Sequence, residues 1–160
     1  HERVLYEQAL RRAQSNAPGV QQLMFPQTVQ LAPADYALVI ELLPYFEQLG
    51  FALKPFGRNT ILLEGVPSDL GVHADGSVIM DVLTLYREYN QHGALEARDV
   101  LAKSYACRAA VKAGDALNEH EMRTLLDQLA RCTMPYVCPH GRPVSLKLSL
   151  DELDRRFGRT

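Results

Sequence analysis

The segment YVCPHGRPVSLKLS, from Tyr136 to Ser149, sets a cysteine and a histidine two residues apart, each beside a proline. Alternate side chains of an extended strand point to the same face. Cys138 and His140 on such a strand can therefore aim a sulfur and an imidazole nitrogen at one point. These are donors that zinc accepts, in closed sets of four or in sets of three with an open position for chemistry. Two donors do not make a site, so the remaining ligands must come from elsewhere in the chain. An isolated Cys-x-His pair more often serves as a buried thiol and a hydrogen-bonded histidine. A closed structural zinc would need four protein ligands, and the sequence has no CxxC pair to complete them.

The elements that must position this pair follow from periodicity and punctuation. Glu2 to Ala13 is rich in helix formers, with Leu5, Ala9 and Ala13 on one stripe, and NAPGV ends it. QQLMFPQTVQL reads as extended. Pro33, Ala34 and Asp35 open a second helix carrying Leu38, Leu42, Tyr45 and Leu49 and closed by Gly50, and Pro44 inside it predicts a kink or an early end. The apolar runs on either side of Gly57, Arg58 and Asn59 read as a β-hairpin. SVIMDVLTLYREYN is helical, with Val78, Val82, Leu85 and Tyr89 on one side, and His92 and Gly93 break it. A long helix is predicted from about Leu95 to Ala113. Two capping boxes, Asn118 with Glu121 and Ser149 with Glu152, start the last two helices, and the strand holding Cys138 and His140 lies between them. Helices and strands mix without the steady alternation of a parallel doubly wound sheet, which makes the fold class α+β.

The 160 residues carry 17 basic and 19 acidic side chains, a formal charge of −2, so charge alone does not hold this chain tightly to nucleic acid. No apolar run approaches the roughly 18 residues of a membrane span. The three cysteines, Cys107, Cys132 and Cys138, are irregularly spaced and odd in number, which fits a reducing cytoplasmic setting better than a disulfide framework. The chain opens directly in the helix-like HERVLYEQALRRA and reads as a fragment of a larger protein.

Five stretches in one order resemble the C-terminal domain of the MutL mismatch-repair proteins, in the bacterial branch with endonuclease activity. CPHGRP (Cys138–Pro143) is similar to a signature of that branch, ACRAAVKAGDAL (Ala106–Leu117) to its AC-R motif, and FGR (Phe157–Arg159) to its terminal F-x-R motif. ERVLYE (Glu2–Glu7) resembles the end of the metal-binding DQHA-x-x-E-x-x-x-x-E motif, whose DQHA is absent from the sequence given. QQLMFP (Gln21–Pro26) is similar to the family's short motif for the sliding clamp. The resemblance implies two subdomains: residues 1–33 with 94–160 for dimerisation and the endonuclease motifs, and residues 34–93 as an external regulatory unit. It implies a nuclease that nicks one strand of duplex DNA, with a regulatory or structural Zn2+ and a catalytic Mn2+ or Mg2+. The implied partners are a second copy of the chain, the sliding clamp, a MutS-type mismatch sensor through the full-length protein, and duplex DNA bound weakly by this domain alone. The setting is cytoplasmic and associated with the nucleoid. The alternative is a dimerisation and protein-interaction module with a structural or regulatory zinc and no cutting activity.

Carried over residue by residue, the resemblance makes Glu2, Cys138, His140 and Cys107 metal ligands. It places Glu2, Glu7, Cys107, Arg108, Arg142 and Arg159 in the catalytic neighbourhood. Plainer readings stand beside these. Glu2 suits a helix start as a solvated carboxylate favoured by the helix dipole. Glu7 lies roughly 140° around the helix from Glu2 and does not share one ion with it directly. Cys107, among alanines, suits a small buried hydrophobe. Arg108, Arg142 and Arg159 suit either phosphate binding or solvent. Gln21, Leu23, Met24, Phe25 and Pro26 suit a clamp ligand or a plain sheet strand. Cys132, His73, His92 and His120 match no motif and read as structural or surface residues.

Overall fold

The computed structural model describes residues 1–15, 19–70, 75–90 and 96–159. His73, His92 and the Gly93 boundary fall outside them. In chain order the elements are helix α1 (Glu2–Ser15), strand β1 (Val20–Gln30), helix α2 (Pro33–Leu49), strands β2 (Ala52–Pro55) and β3 (Thr60–Pro67), and helices α3 (Ser77–Tyr89), α4 (Ala97–Ala109), α5 (Glu119–Ala130) and α6 (Leu150–Arg156). The fold class is α+β, with a three-stranded antiparallel sheet in the order β1-β3-β2.

The apolar periodicity accounts for the packing. Leu42, Phe46 and Leu49 of α2, Ile61 and Leu63 of β3, Ile79 and Leu83 of α3, and Leu101 and Tyr105 of α4 join one core with Ala9 of α1 and Val29 of β1. Edge-on ring pairs, Phe46 with Phe51 and Phe51 with Tyr105, run through it at centroid separations of 5.5 and 6.0 Å. Arg12 of α1 makes a two-pronged ion pair with Asp69 after β3, at 2.9 and 2.7 Å. The Tyr105 hydroxyl donates to the same carboxylate at 2.6 Å, so one acid ties α1 to α4.

Three expectations are corrected. Pro44 does not end α2, which runs through it to Leu49, because buried Leu42 and Phe46 hold the turns on both sides of the missing hydrogen bond. Gly50 closes the helix at φ 100°, its N–H reaching the carbonyls of Phe46 and Glu47. The buried stripe of α3 is Val78, Ile79, Val82, Leu83 and Tyr86, leaving Leu85 and Tyr89 at its margin. Helix α4 stops at Ala109 and not near Ala113. The next amide protons go to side chains: the Val111 N–H donates to His1 Nδ1 at 3.0 Å, and the Lys112 N–H to Asp115 at 2.8 Å.

The Asn118–Glu121 capping box forms with both of its hydrogen bonds, and Ser149 accepts from the Glu152 N–H at 3.2 Å. Neither α5 nor α6 contributes a buried residue. What fixes the segment after α5 is Glu7. Its carboxylate accepts the N–H groups of Thr133 at 2.8 Å and Met134 at 3.1 Å, with Arg3 and Arg11 as neighbouring cations at 3.8 and 3.9 Å.

Burial is the largest influence on the Glu7 carboxyl and favours its neutral form. The amides of Thr133 and Met134, the Thr133 side chain and Arg3 together outweigh it and lower the pKa below 4.5. The contribution to stability is therefore full above the unfolded value and is lost as pH falls through the lower folded value. Glu7→Ala is expected to cost about 1–3 kcal/mol in urea unfolding at neutral pH. Glu7→Gln should flatten the loss of stability on acidification below pH 4.5; an acid limb identical to the parent's would show that Glu7 does not carry this contact.

Candidate metal centre

Helix α1 builds one side of the site with its first turn. Glu2 faces the site, while Arg3, almost fully buried, turns towards the segment after α5. The Arg3 guanidinium donates to the carbonyl of Val137 at 2.7 Å and of Cys138 at 3.0 Å. One arginine thereby pins the backbone from which the candidate ligands project.

That backbone is a tight turn and not the extended strand that the alternation of Cys138 and His140 suggested. Val137 bridges Pro143, and the Val144 N–H donates to the Tyr136 carbonyl at 2.8 Å. Inside this pair the Cys138 N–H donates to the Arg142 carbonyl at 2.8 Å and the Gly141 N–H to the Cys138 carbonyl at 3.0 Å. Gly141 lies at φ 81°, in the left-handed region that a residue with a Cβ avoids. Pro139, between Cys138 and His140, and Pro143 lack the amide protons that would continue a ladder, so the segment turns back on itself. The Arg142 N–H donates to Cys138 Sγ at 3.3 Å.

The turn carries Cys138 and His140 to Glu2. The ligand atoms of these three residues lie within 4.8 Å of one another, and among the described residues this is the one cluster with the donor types and closeness to hold a metal ion. His140 Nδ1 is 3.4 Å from the Glu2 carboxylate, while its Nε2 is buried without a hydrogen-bond partner. A sulfur, an imidazole and a carboxylate together fit zinc, and they leave room for a further ligand.

Comparison with known proteins gives the family. Residues 1–117 match the family described as the MutL C terminal dimerisation domain. The chain belongs to that family. Over its whole length it is 48% identical to the DNA mismatch repair protein MutL of Chlorobaculum tepidum, covering 26% of that protein. It is 44% identical to the one of Chloroherpeton thalassium and 46% to that of Chlorobium limicola, in each case covering 25% of the relative. The chain thus spans about a quarter of the length of the curated relatives it matches.

In this MutL C-terminal domain the other candidate residues are dispersed. Glu7 is occupied with the Thr133 and Met134 amides, so its carboxylate holds the fold together and does not face the cluster. Cys107 of α4 is half-buried and is not one of the clustered donors. Burial, and then the neighbouring Cys107, raise the pKa of Tyr89 of α3 well above its ordinary value. Arg108 is paired with Asp81 of α3. Arg142 is exposed beside the ligand turn. Arg159 is exposed beyond α6, and its N–H donates to the Asp154 carbonyl at 2.9 Å. Cys132 is buried, with its thiol pKa raised by that burial and then by Glu7, and His120 is exposed on α5.

Strand β1 presents the remaining motif. Gln22 is opposite Gly65 and Gln27 opposite Leu63, so Leu23 to Pro26 bulge against Glu64 alone. A Cβ on Gly65 would come within 2.7 Å of Val20 and 3.1 Å of the Gln21 carbonyl, and glycine is what permits the close approach at which the bulge begins. Met24 and Phe25 are 87% and 77% exposed, Leu23 is half-buried, and Gln21 and Pro26 are exposed.

Sequence reasoning missed Arg3 and Tyr89. For Arg3 the only local signal is its helical i,i+4 spacing from Glu7; Tyr89 read as one more member of an apolar stripe. Cobalt(II) titration separates the cysteines. Cys138→Ser should abolish the near-ultraviolet sulfur-to-cobalt absorption and Cys107→Ser should keep it, whereas loss of the band in Cys107→Ser would make Cys107 a ligand.

Proposed function

We propose that this domain serves DNA mismatch repair as a metal-dependent endonuclease that nicks one strand of duplex DNA. The observation that carries the reading is the convergence of Glu2, Cys138 and His140, whose ligand atoms lie within 4.8 Å of one another, with His140 Nδ1 turned towards Glu2. A divalent ion held there supplies a Lewis acid for the phosphate and a water acidic enough to attack at neutral pH. Cys138 would offer its sulfur, which accepts the Arg142 N–H. His140 would offer the in-plane lone pair of Nδ1, the nitrogen 3.4 Å from the Glu2 carboxylate. Arg142, exposed on the same turn, is placed to meet a phosphate oxygen, for which a planar guanidinium is suited. The soft thiolate suits zinc, and a further site richer in oxygen would suit Mn2+ or Mg2+.

The bulge of β1 supports attachment to the sliding clamp. Two large apolar side chains stand in solvent on an edge strand, flanked by Gln21 and Pro26, as an extended peptide ligand requires. Tethering to a ring threaded on DNA replaces intrinsic affinity with effective concentration, which suits a chain of net charge −2. Dimerisation, named in the family's description, has apolar surface available in Leu126, Leu146 and Leu150, all at least 65% exposed. That surface also supports the second reading, an interaction module that does not cut.

The test is nicking of supercoiled plasmid by a version extended upstream through DQHA, with Mn2+ and loaded clamp. Nicking by the parent and none by Cys138→Ala/His140→Ala is the expected result. A parent that binds zinc and dimerises without nicking would leave the module reading in its place. In a direct binding assay Phe25→Ala should weaken clamp affinity at least about tenfold, as for the loss of an interface anchor. Unchanged affinity would mean that β1 is a sheet edge only.

A further inference from the structure

Tyr89 closes α3, a helix of the middle segment, yet its ring lies against His140 from the opposite end of the chain. The centroids are 4.7 Å apart and the planes are inclined at 42°, within the range of favourable aromatic contact. One side chain thus joins α3 to the ligand turn. The buried face of α3, from Val78 to Tyr86, fixes where Tyr89 emerges. The Arg108–Asp81 ion pair holds α3 to α4 on the same side. The ring is thus held from behind and presents a rigid face to the imidazole.

We infer that Tyr89 is a positioning residue for the metal centre: its ring fixes the plane of His140, and with it the direction of the nitrogen that faces Glu2. The inference rests on the metal reading given under Proposed function. The physical reason is the geometry of the lone pair. An imidazole nitrogen donates in the plane of its ring, and rotation about χ2 swings that direction. On the Nδ1 side His140 has only the Glu2 carboxylate at 3.4 Å, which is long for a hydrogen bond and holds the ring loosely. Nε2 has no partner to hold it. Contact with the flat face of Tyr89 supplies the missing restraint. Partners that orient a liganding histidine commonly set metal affinity by a factor of about 10–100.

The test compares the parent protein with Tyr89→Phe, which keeps the ring and loses the hydroxyl, and Tyr89→Leu, which keeps apolar bulk and loses the aromatic face. Two readouts are taken, cobalt(II) affinity by absorption and, without metal, the carbon-bound imidazole protons of His140 by NMR. Tyr89→Leu should bind cobalt about tenfold more weakly, with Tyr89→Phe staying within about threefold of the parent. The metal-free His140 resonances should be displaced by the ring current in the parent and in Tyr89→Phe, and should move to ordinary values in Tyr89→Leu. Unchanged His140 resonances in Tyr89→Leu overturn the inference, as does a Tyr89→Phe protein as weak as Tyr89→Leu. A parent that binds no cobalt while its His140 resonances still depend on Tyr89 sinks the metal reading and leaves Tyr89 as the holder of the ring.

Discussion

The grip of α1 on the segment between Arg131 and Pro143 is the constraint on which the site depends. Helix α5 and the ligand turn bury little apolar surface, and α5 contributes no residue to the core. Their position relative to α1 is set by polar contacts. Glu7 takes two amides at the start of the segment, and Arg3 takes two carbonyls at the turn. Charged groups bonded to backbone in a partly buried setting are worth roughly 1.5–3 kcal/mol each, more than neutral pairs. Arg3 and Glu7 stand one helical turn apart and neutralise each other at 3.8 Å, so neither is left as a bare buried charge.

The same helix turn that makes this grip also points Glu2 at the metal cluster. Structural and chemical roles are therefore divided among neighbouring residues of one short stretch: Glu2 at the site, Arg3 and Glu7 at the backbone. Such an arrangement couples the integrity of the centre to the docking of α1. The Arg12–Asp69–Tyr105 network and the donation from Tyr6 to Asp99 in turn fix α1 on α4. A site built from chain ends needs this rigidity, because donor atoms a fraction of an ångström out of place no longer share an ion.

Much of the fold was legible in the chain. The hairpin of β2 and β3, both capping residues Asn118 and Ser149, and the existence of each helix followed from punctuation and period, which are local properties. Boundaries failed where a tertiary partner intervened. Helix α4 ended early because side chains of His1 and Asp115 took its next amide protons. Helix α2 ignored Pro44 because its core face outweighed one lost hydrogen bond. The strand expected at Cys138 became a turn because Pro139, Pro143 and Gly141 favoured reversal.

The sequence by itself determined which atoms are available: a thiolate and an imidazole two residues apart, a carboxylate at a helix start, and an apolar motif followed by proline. Residue type and spacing are properties of the chain, and so is the resemblance that named the family. Only the tertiary structure decided that Glu2 meets Cys138 and His140 across the whole length of the chain. It likewise decided that Glu7 serves the backbone, that Tyr89 lies against His140, and that Met24 and Phe25 face solvent. Each of these depends on contacts between residues far apart in sequence, and local periodicity carries no information about which distant group will satisfy a buried donor or acceptor.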